Sequence, residues 1–133
     1  MMKTYTGSCH CKAVQFEVDL DLSEGTTRCN CSICVKTRNW SRIIKPHQLR
    51  VLRGEDAQSA YAPGPHMQQH FCRTCGVRTF ARGDVPEIGG AFVSVQVVTL
   101  DDASPDELLS GPIQFCDGAN NLWWNRPEEV RHL

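Results

Sequence analysis

Seven of the eight cysteines fall into three tight groups: Cys9 with Cys11, then Cys29, Cys31 and Cys34, then Cys72 with Cys75. Two thiols one or two residues apart can turn both sulfurs toward one point. That is the arrangement zinc needs, since it takes four tetrahedral ligands and binds thiols in their deprotonated form. Disulfide partners have no need of such local pairing. Eight cysteines in 133 residues is also below the roughly 8–10% that marks a disulfide scaffold. A redox C-x-x-C opens a helix after a strand, whereas Cys72-Arg73-Thr74-Cys75 is followed by Gly76 and a strand-like Val77-Arg78-Thr79-Phe80. Gly76 accepts the positive φ of a zinc-knuckle turn. Metal binding is the chemistry these spacings predict.

Seven thiols do not make two complete four-cysteine sites. One site closes with four ligands, and the other keeps three and an open position, which is the mark of a zinc that takes water or substrate. Spacing alone does not say which group is open. The simplest division joins Cys9 and Cys11 to Cys72 and Cys75 and leaves Cys29, Cys31 and Cys34 as a trio. In the alternative, Cys116, His66 or His70 completes the second site and makes it inert. His10, between two ligands, is expected beside the metal or exposed, and Cys116 as a small buried apolar residue. His47, His66 and His70 are candidates for a general acid or base.

The elements that must position these groups read as strands. Val14, Phe16 and Val18 alternate with Gln15 and Glu17, and Val93, Val95 and Val97 share one face of Phe92–Val98. Short apolar stretches at Arg42–Ile44, Leu49–Leu52 and Val77–Phe80 are separated by Pro, Gly and His. One helix is expected, from the capping box Ser104-Pro105-Asp106-Glu107 through Leu109, stopped by Gly111-Pro112. Trp123 and Trp124 are expected to pack on the core rather than to floor a pocket. The composition is that of a globular chain, with 41% of residues hydrophobic, and residues 1–133 are expected to form a single domain. No apolar run reaches the roughly 18 residues of a membrane span. Met1–Leu20 has no hydrophobic centre, so a cytoplasmic location is expected, where thiols stay reduced.

The net charge is −1, but residues 28–83 carry ten basic and two acidic side chains, and residues 84–133 carry two basic and nine acidic. Seven basic residues lie between Gly25 and Gly54 without one acid. Either they face an anionic ligand or they pair with the acidic tail in the fold.

Gly7-Ser8-Cys9-His10-Cys11-Lys12-Ala13-Val14-Gln15-Phe16 resembles the G-x-C-x-C-G-x-V-x-F opening of the glutathione-dependent formaldehyde-activating enzyme family, which includes centromere protein V. Cys29-Asn30-Cys31-Ser32-Ile33-Cys34-Val35-Lys36 is similar to its C-x-C-S-x-C-R-K segment, and Phe71-Cys72-Arg73-Thr74-Cys75-Gly76 to its F-C-x-x-C-G. Leu100-Asp101-Asp102 and Ile113-Gln114-Phe115 before Trp123-Trp124 resemble its C-terminal half. Lys12 stands where the family usually has Gly, which predicts a slightly different turn, and Val35 stands where a basic residue is common. The resemblance implies a structural zinc on Cys9, Cys11, Cys72 and Cys75, and a second, catalytic zinc with an exchangeable ligand on Cys29, Cys31 and Cys34. It also implies a mainly β, compact β-tent-like zinc-binding fold.

The activity so implied is that of a carbon–sulfur lyase. Glutathione, as co-substrate, joins formaldehyde or a related aldehyde to give S-hydroxymethylglutathione. A trio of thiolates makes a bound zinc a soft, weak Lewis acid, better suited to holding an incoming thiol as a nucleophilic thiolate than to polarising water. Lys36, Arg38 and Arg42 are the expected anchors for glutathione's carboxylates. The competing reading is a non-catalytic, zinc-stabilised binding module that uses residues 28–53, although the acidic last third weighs against nucleic acid. The expected partners are a small-molecule thiol and an aldehyde, with no membrane, and a homo-oligomer is left open.

Overall fold

A computed structural model describes residues 1–133. It contains two sheets and only two short helices. The smaller sheet joins β1 (Lys3–Ser8), β2 (Gln15–Leu20) and β5 (Leu49–Arg53) in the order β1-β2-β5, all antiparallel. The larger sheet contains β3 (Thr26–Cys29), β4 (Trp40–Ile44), β6 (Gln58–Gly64), β7 (Met67–Cys72), β8 (Arg78–Val85), β9 (Gly90–Gln96) and β10 (Ile113–Cys116). Their order is β10-β3-β4-β9-β8-β7-β6, and only β10 and β3 run parallel. The mainly β architecture follows the expectation. No helix is long and apolar enough to cross a membrane.

The alternation in β2 does what a half-buried strand requires. Phe16, Val18 and Leu20 are buried against the larger sheet, while Glu17 and Asp19 point outward to Arg50 on β5, at 2.8 Å and 3.0 Å. Phe16 meets Phe80 of β8 edge to face, with centroids 5.8 Å apart, and Val93, Val95 and Val97 close the same core. The strand read at Phe92–Val98 is buried on both faces and ends at Gln96, after which Val98 is exposed. It is central in its sheet, so both its faces are covered.

The capping box forms as expected. The Glu107 amide donates to Ser104 Oγ at 3.1 Å and the Ser104 amide to Glu107 Oε1 at 3.2 Å, opening helix α2 (Pro105–Leu108). A second helix, α1 (Ser32–Thr37), carries Cys34 and was not predicted. The expected core packing of the tryptophans is overturned. Trp123 is 46% and Trp124 71% exposed, on the chain that follows the edge strand β10.

Candidate metal centres

The first cluster joins the two sheets. Cys9 follows β1, Cys11 sits in the turn to β2, Cys72 ends β7, and Cys75 lies in the turn to β8. All four sulfurs lie within 4.8 Å of one another. Cys11 Sγ is 3.7 Å from Cys9 Sγ and 3.6 Å from Cys72 Sγ, close to the edge of about 3.8 Å that a tetrahedron with zinc–sulfur bonds near 2.3 Å would have. The amides of Val14 and Thr74 donate to the sulfurs of Cys9 and Cys72, at 3.3 Å and 3.4 Å. Amide donors of this kind favour thiolates. Cys75 is lowered to about 6, first by the Val77 amide and then by that of Cys11. Gly76 has φ +77°, the backbone its knuckle was expected to need. Around this cluster Cys9, Val14 and Cys72 form a small core of their own, with Val77 packed against it.

The turn at Lys12 is left-handed. Lys12 has φ +69°, the left-handed backbone that glycine adopts without cost, so the turn keeps a glycine's geometry while carrying a lysine. Its ammonium reaches Ser8 Oγ at 3.0 Å and pairs with Asp101 at 3.3 Å.

The second cluster is the trio. Cys29 ends β3, Cys31 is the residue before α1, and Cys34 lies on its first turn. Their sulfurs also lie within 4.8 Å of one another. The donor set fits a soft divalent ion with one position left for an exchangeable ligand. Three thiols in contact cannot all ionise without a cation. Cys31 is held well below an ordinary thiol by contacts with Cys29 and Cys34 and by the amides of Cys34 and Ile33. Cys34 is pushed up, first by Cys29 and then by Cys31.

Neither His66 nor His70 belongs to this group. His70 is buried on β7 with its ring 5.2 Å from that of Phe80, and burial lowers its pKa. His10 and His47 are exposed. Cys116 is half-buried rather than enclosed, and its backbone pairs with Cys29 across the parallel β10–β3 step. Burial and then the charges of Cys29 and Cys31 push its thiol up.

The basic stretch does not pair with the acidic tail. Arg50 is taken by Glu17 and Asp19, and Arg42 by Glu24 and the Gly25 carbonyl. Lys36 and Arg38 are exposed on and just after α1 and form no ion pair, and Arg28 stacks on Trp40 at 4.8 Å. Of the three expected anchors, Lys36 and Arg38 are therefore unpaired and Arg42 is occupied.

Three groups at the trio were missed from sequence. Arg78 of β8 is partly buried, its Nε has no hydrogen-bond partner and its terminal nitrogen donates to Gln69 Oε1; burial opposes its charge, while Cys34 and then Cys31 favour it. Asn30, between two of the cysteines, donates from Nδ2 to Asp117 at 2.9 Å and accepts at Oδ1 from the Ala119 amide at 2.9 Å. Gly118 packs on the trio, since a Cβ there would stand 2.8 Å from Cys29 Sγ. Only the Trp-Trp pair signalled this segment.

The sequence family described as glutathione-dependent formaldehyde-activating enzyme matches residues 4–117. A protein of Rhodobacter sphaeroides with a known crystal structure is similar to this chain at 30% sequence identity and a TM-score of 0.69, over 83% of this chain and 98% of that one. With the cysteine motifs gathered into two clusters as described, this chain belongs to the glutathione-dependent formaldehyde-activating enzyme family.

Proposed function

We infer that the chain is a zinc-dependent, thiol-handling enzyme of the carbon–sulfur lyase type, which condenses glutathione with formaldehyde or a related aldehyde. The observation that carries this reading is the inequality of the clusters: four sulfurs converge in one and three in the other. Cys9, Cys11, Cys72 and Cys75 would hold a structural zinc, and Cys29, Cys31 and Cys34 a second. A zinc ion held by three thiolates supplies a soft acceptor that keeps an incoming thiol deprotonated near neutral pH.

The chain's own groups would do the rest. Lys36 and Arg38, exposed, unpaired and two and four residues after Cys34 in the chain, suit the two carboxylates of glutathione. Arg42, engaged by Glu24, is the weakest of the three anchors. The Asn30–Asp117 contact fixes the loop along one side of the trio. In the reaction the thiol gives up its proton, its sulfur forms a bond to the carbonyl carbon, and the carbonyl oxygen takes a proton. The reverse step cleaves the carbon–sulfur bond. Residues 1–133 act as one domain in this reading, and eight free thiols suit a reducing cytoplasm.

Glutathione and formaldehyde also condense without help, so only the rate of exchange reports catalysis. Magnetisation-transfer NMR should show that the protein speeds adduct exchange and that Cys34→Ser removes most of the acceleration. An exchange rate at the buffer value, with other thiols and aldehydes equally inert, overturns the enzyme reading. The binding-module reading draws on Arg28, Lys36 and Arg38, which form no ion pair and cluster near α1. It predicts salt-dependent nucleic-acid binding. A gel-shift series without binding at low ionic strength removes it.

A further inference from the structure

Leu122, Trp123 and Trp124 are three consecutive large apolar side chains, all exposed, on the loop after β10. The loop is firmly built. The Leu122 amide donates to the Asp117 carbonyl at 2.9 Å, and the Asp117 amide donates to the Asn125 carbonyl at 2.9 Å. The Asp117 carboxylate accepts from Asn30 and Asn120. The Trp123 ring nitrogen donates to Asn121 Oδ1 at 2.8 Å, which fixes the ring's direction. Exposed apolar surface held in one orientation commonly marks a binding site.

The position of that ring is the informative part. A Cβ on Gly118 would stand 2.5 Å from Trp123 Cζ3, 2.8 Å from Cys29 Sγ and 2.9 Å from Cys31 Cβ. Measured through that common point, the Trp123 ring edge and the Cys29 sulfur are at most 5.3 Å apart, the two distances end to end. The indole therefore borders the trio itself.

We propose that Trp123 is a specificity-determining wall of the three-cysteine site, receiving an apolar substituent on the carbon bonded to the bound sulfur. The preferred adducts are then those of aldehydes bearing an aromatic or branched apolar group, ahead of the adduct of formaldehyde. The proposal rests on the reading of the trio as a thiol site. Addition of a thiol to an aldehyde forms the carbon–sulfur bond from a sulfur lone pair and moves the carbonyl π pair to oxygen. That oxygen takes up the proton the thiol lost, so no oxidant or reductant enters. The aldehyde's substituent begins two bonds from the incoming sulfur, and Trp123 borders the trio that would hold that sulfur. Formaldehyde puts only hydrogen there.

The test uses zinc-loaded protein and two thiols: benzyl mercaptan, whose ring lies where such a substituent would, and 2-mercaptoethanol, which has no such ring. Calorimetric titration of the wild type should show benzyl mercaptan binding about tenfold tighter or more, the increment expected for covering one aromatic ring. Trp123→Ala should lose that preference while keeping its zinc content and its affinity for 2-mercaptoethanol. Trp123→Leu, which keeps bulk over Gly118, should retain part of it, and Trp124→Ala all of it. A Trp123→Ala variant with the wild-type preference overturns the proposal, as does a wild type with none. So does a wild type that dimerises through this loop, is made monomeric by Trp123→Ala, and shows the same thiol preference in both states. If neither thiol binds the zinc-loaded wild type, the thiol-site reading fails and takes this proposal with it.

Discussion

Gly118 is packed against the sulfur of Cys29, so closely that a Cβ at 118 would come within 2.8 Å of it. The residue does not have a positive φ, so the requirement for glycine here is space alone. The sulfur cannot give way easily, because it accepts the Cys31 amide at 3.3 Å and belongs to the trio. Gly118→Ala should cost about 1–3 kcal/mol, the usual range for overpacking, and should weaken the second metal site. Gly64, with nothing within 4 Å of its Cβ position, is the control. Melting curves and metal content should separate the two variants, and an unaltered Gly118→Ala protein would contradict the packing.

Metal stoichiometry and its asymmetry form the second prediction. The folded chain should carry two zinc ions by elemental analysis. Cys72 is fully buried in the small core that ties β7 to the turn after β1. A structural zinc binds with about 10–16 kcal/mol, as much as a typical domain's whole stability of about 5–15 kcal/mol. Cys72→Ser should therefore leave the chain largely unfolded. Cys31 is half-exposed at the start of a six-residue helix, so Cys31→Ser should stay folded with one zinc. Equal melting losses would contradict the division into a closed and an open site.

Lys12 gives a stabilising prediction. A left-handed backbone costs a residue with a Cβ about 1–2 kcal/mol, and the exposed pair with Asp101 returns at most about 1 kcal/mol. Glycine has neither the strain nor the pair, but is freer in the unfolded chain. Lys12→Gly should leave stability unchanged or raise it by up to about 1 kcal/mol, whereas Lys12→Ala, which keeps the strain and loses the pair, should lower it. Denaturant midpoints of the three proteins check the order.

What was legible in the sequence was local. The cysteine spacings, Gly76 and the Ser104–Glu107 capping box act within a few residues, so their types and intervals carry the geometry. The surroundings of the trio were not legible, because β10 and β3 are far apart in the chain and meet only through parallel pairing, which sets Cys116 beside Cys29 and brings Asp117 to Asn30. Arg78 arrives from a strand at the far side of β9 and β4, and no pattern of charge predicts that. Helix α1 was missed because its starting residue, Cys31, makes no side-chain cap. The basic stretch misled for a related reason: Arg42 and Arg50 find their acids in residues 17–24, which fold back beside them.

Glu107 gives a pH prediction. Its carboxylate accepts from Lys3 at 2.9 Å and Tyr5 at 2.7 Å, and these contacts, Lys3 first, hold it down to about 2. A carboxylate lowered in the fold adds stability above its unfolded pKa of about 4.5 and loses it as pH falls toward the folded value. Wild type should therefore exceed Glu107→Gln in melting temperature at pH 6, and the gap should close between about pH 4.5 and 2. Tyr5, raised to about 12 first by burial and then by Glu107, works in the opposite sense. It favours the fold below pH 10, and that contribution fades as pH rises toward 12. A gap that persists at pH 2 would show that Glu107 acts through packing and not through its charge.

Arg78 separates fold stability from metal retention. Its guanidinium is partly buried, with Nε lacking any partner, so burial opposes the charge. Methionine of similar length removes that desolvation cost, and replacing an imperfectly satisfied buried charge by an apolar side chain is often neutral or stabilising. Cys34 and Cys31 favour the same charge. A metal held by three thiolates leaves the trio with a net charge of about −1, and a cation several ångströms away is worth about 2 kcal/mol to it at an effective dielectric of about 20. Adding Arg78→Met to Cys31→Ser should then not lower the melting temperature, whereas with the trio intact Arg78→Met should release its second zinc to a chromogenic chelator roughly thirtyfold more readily than wild type. Arg78→Lys, which restores the charge, should recover most of the retention. If Arg78→Met lowers the melting temperature in the Cys31→Ser background, its role is packing; if zinc release is the same in all three proteins, the charge has no part in holding the trio together.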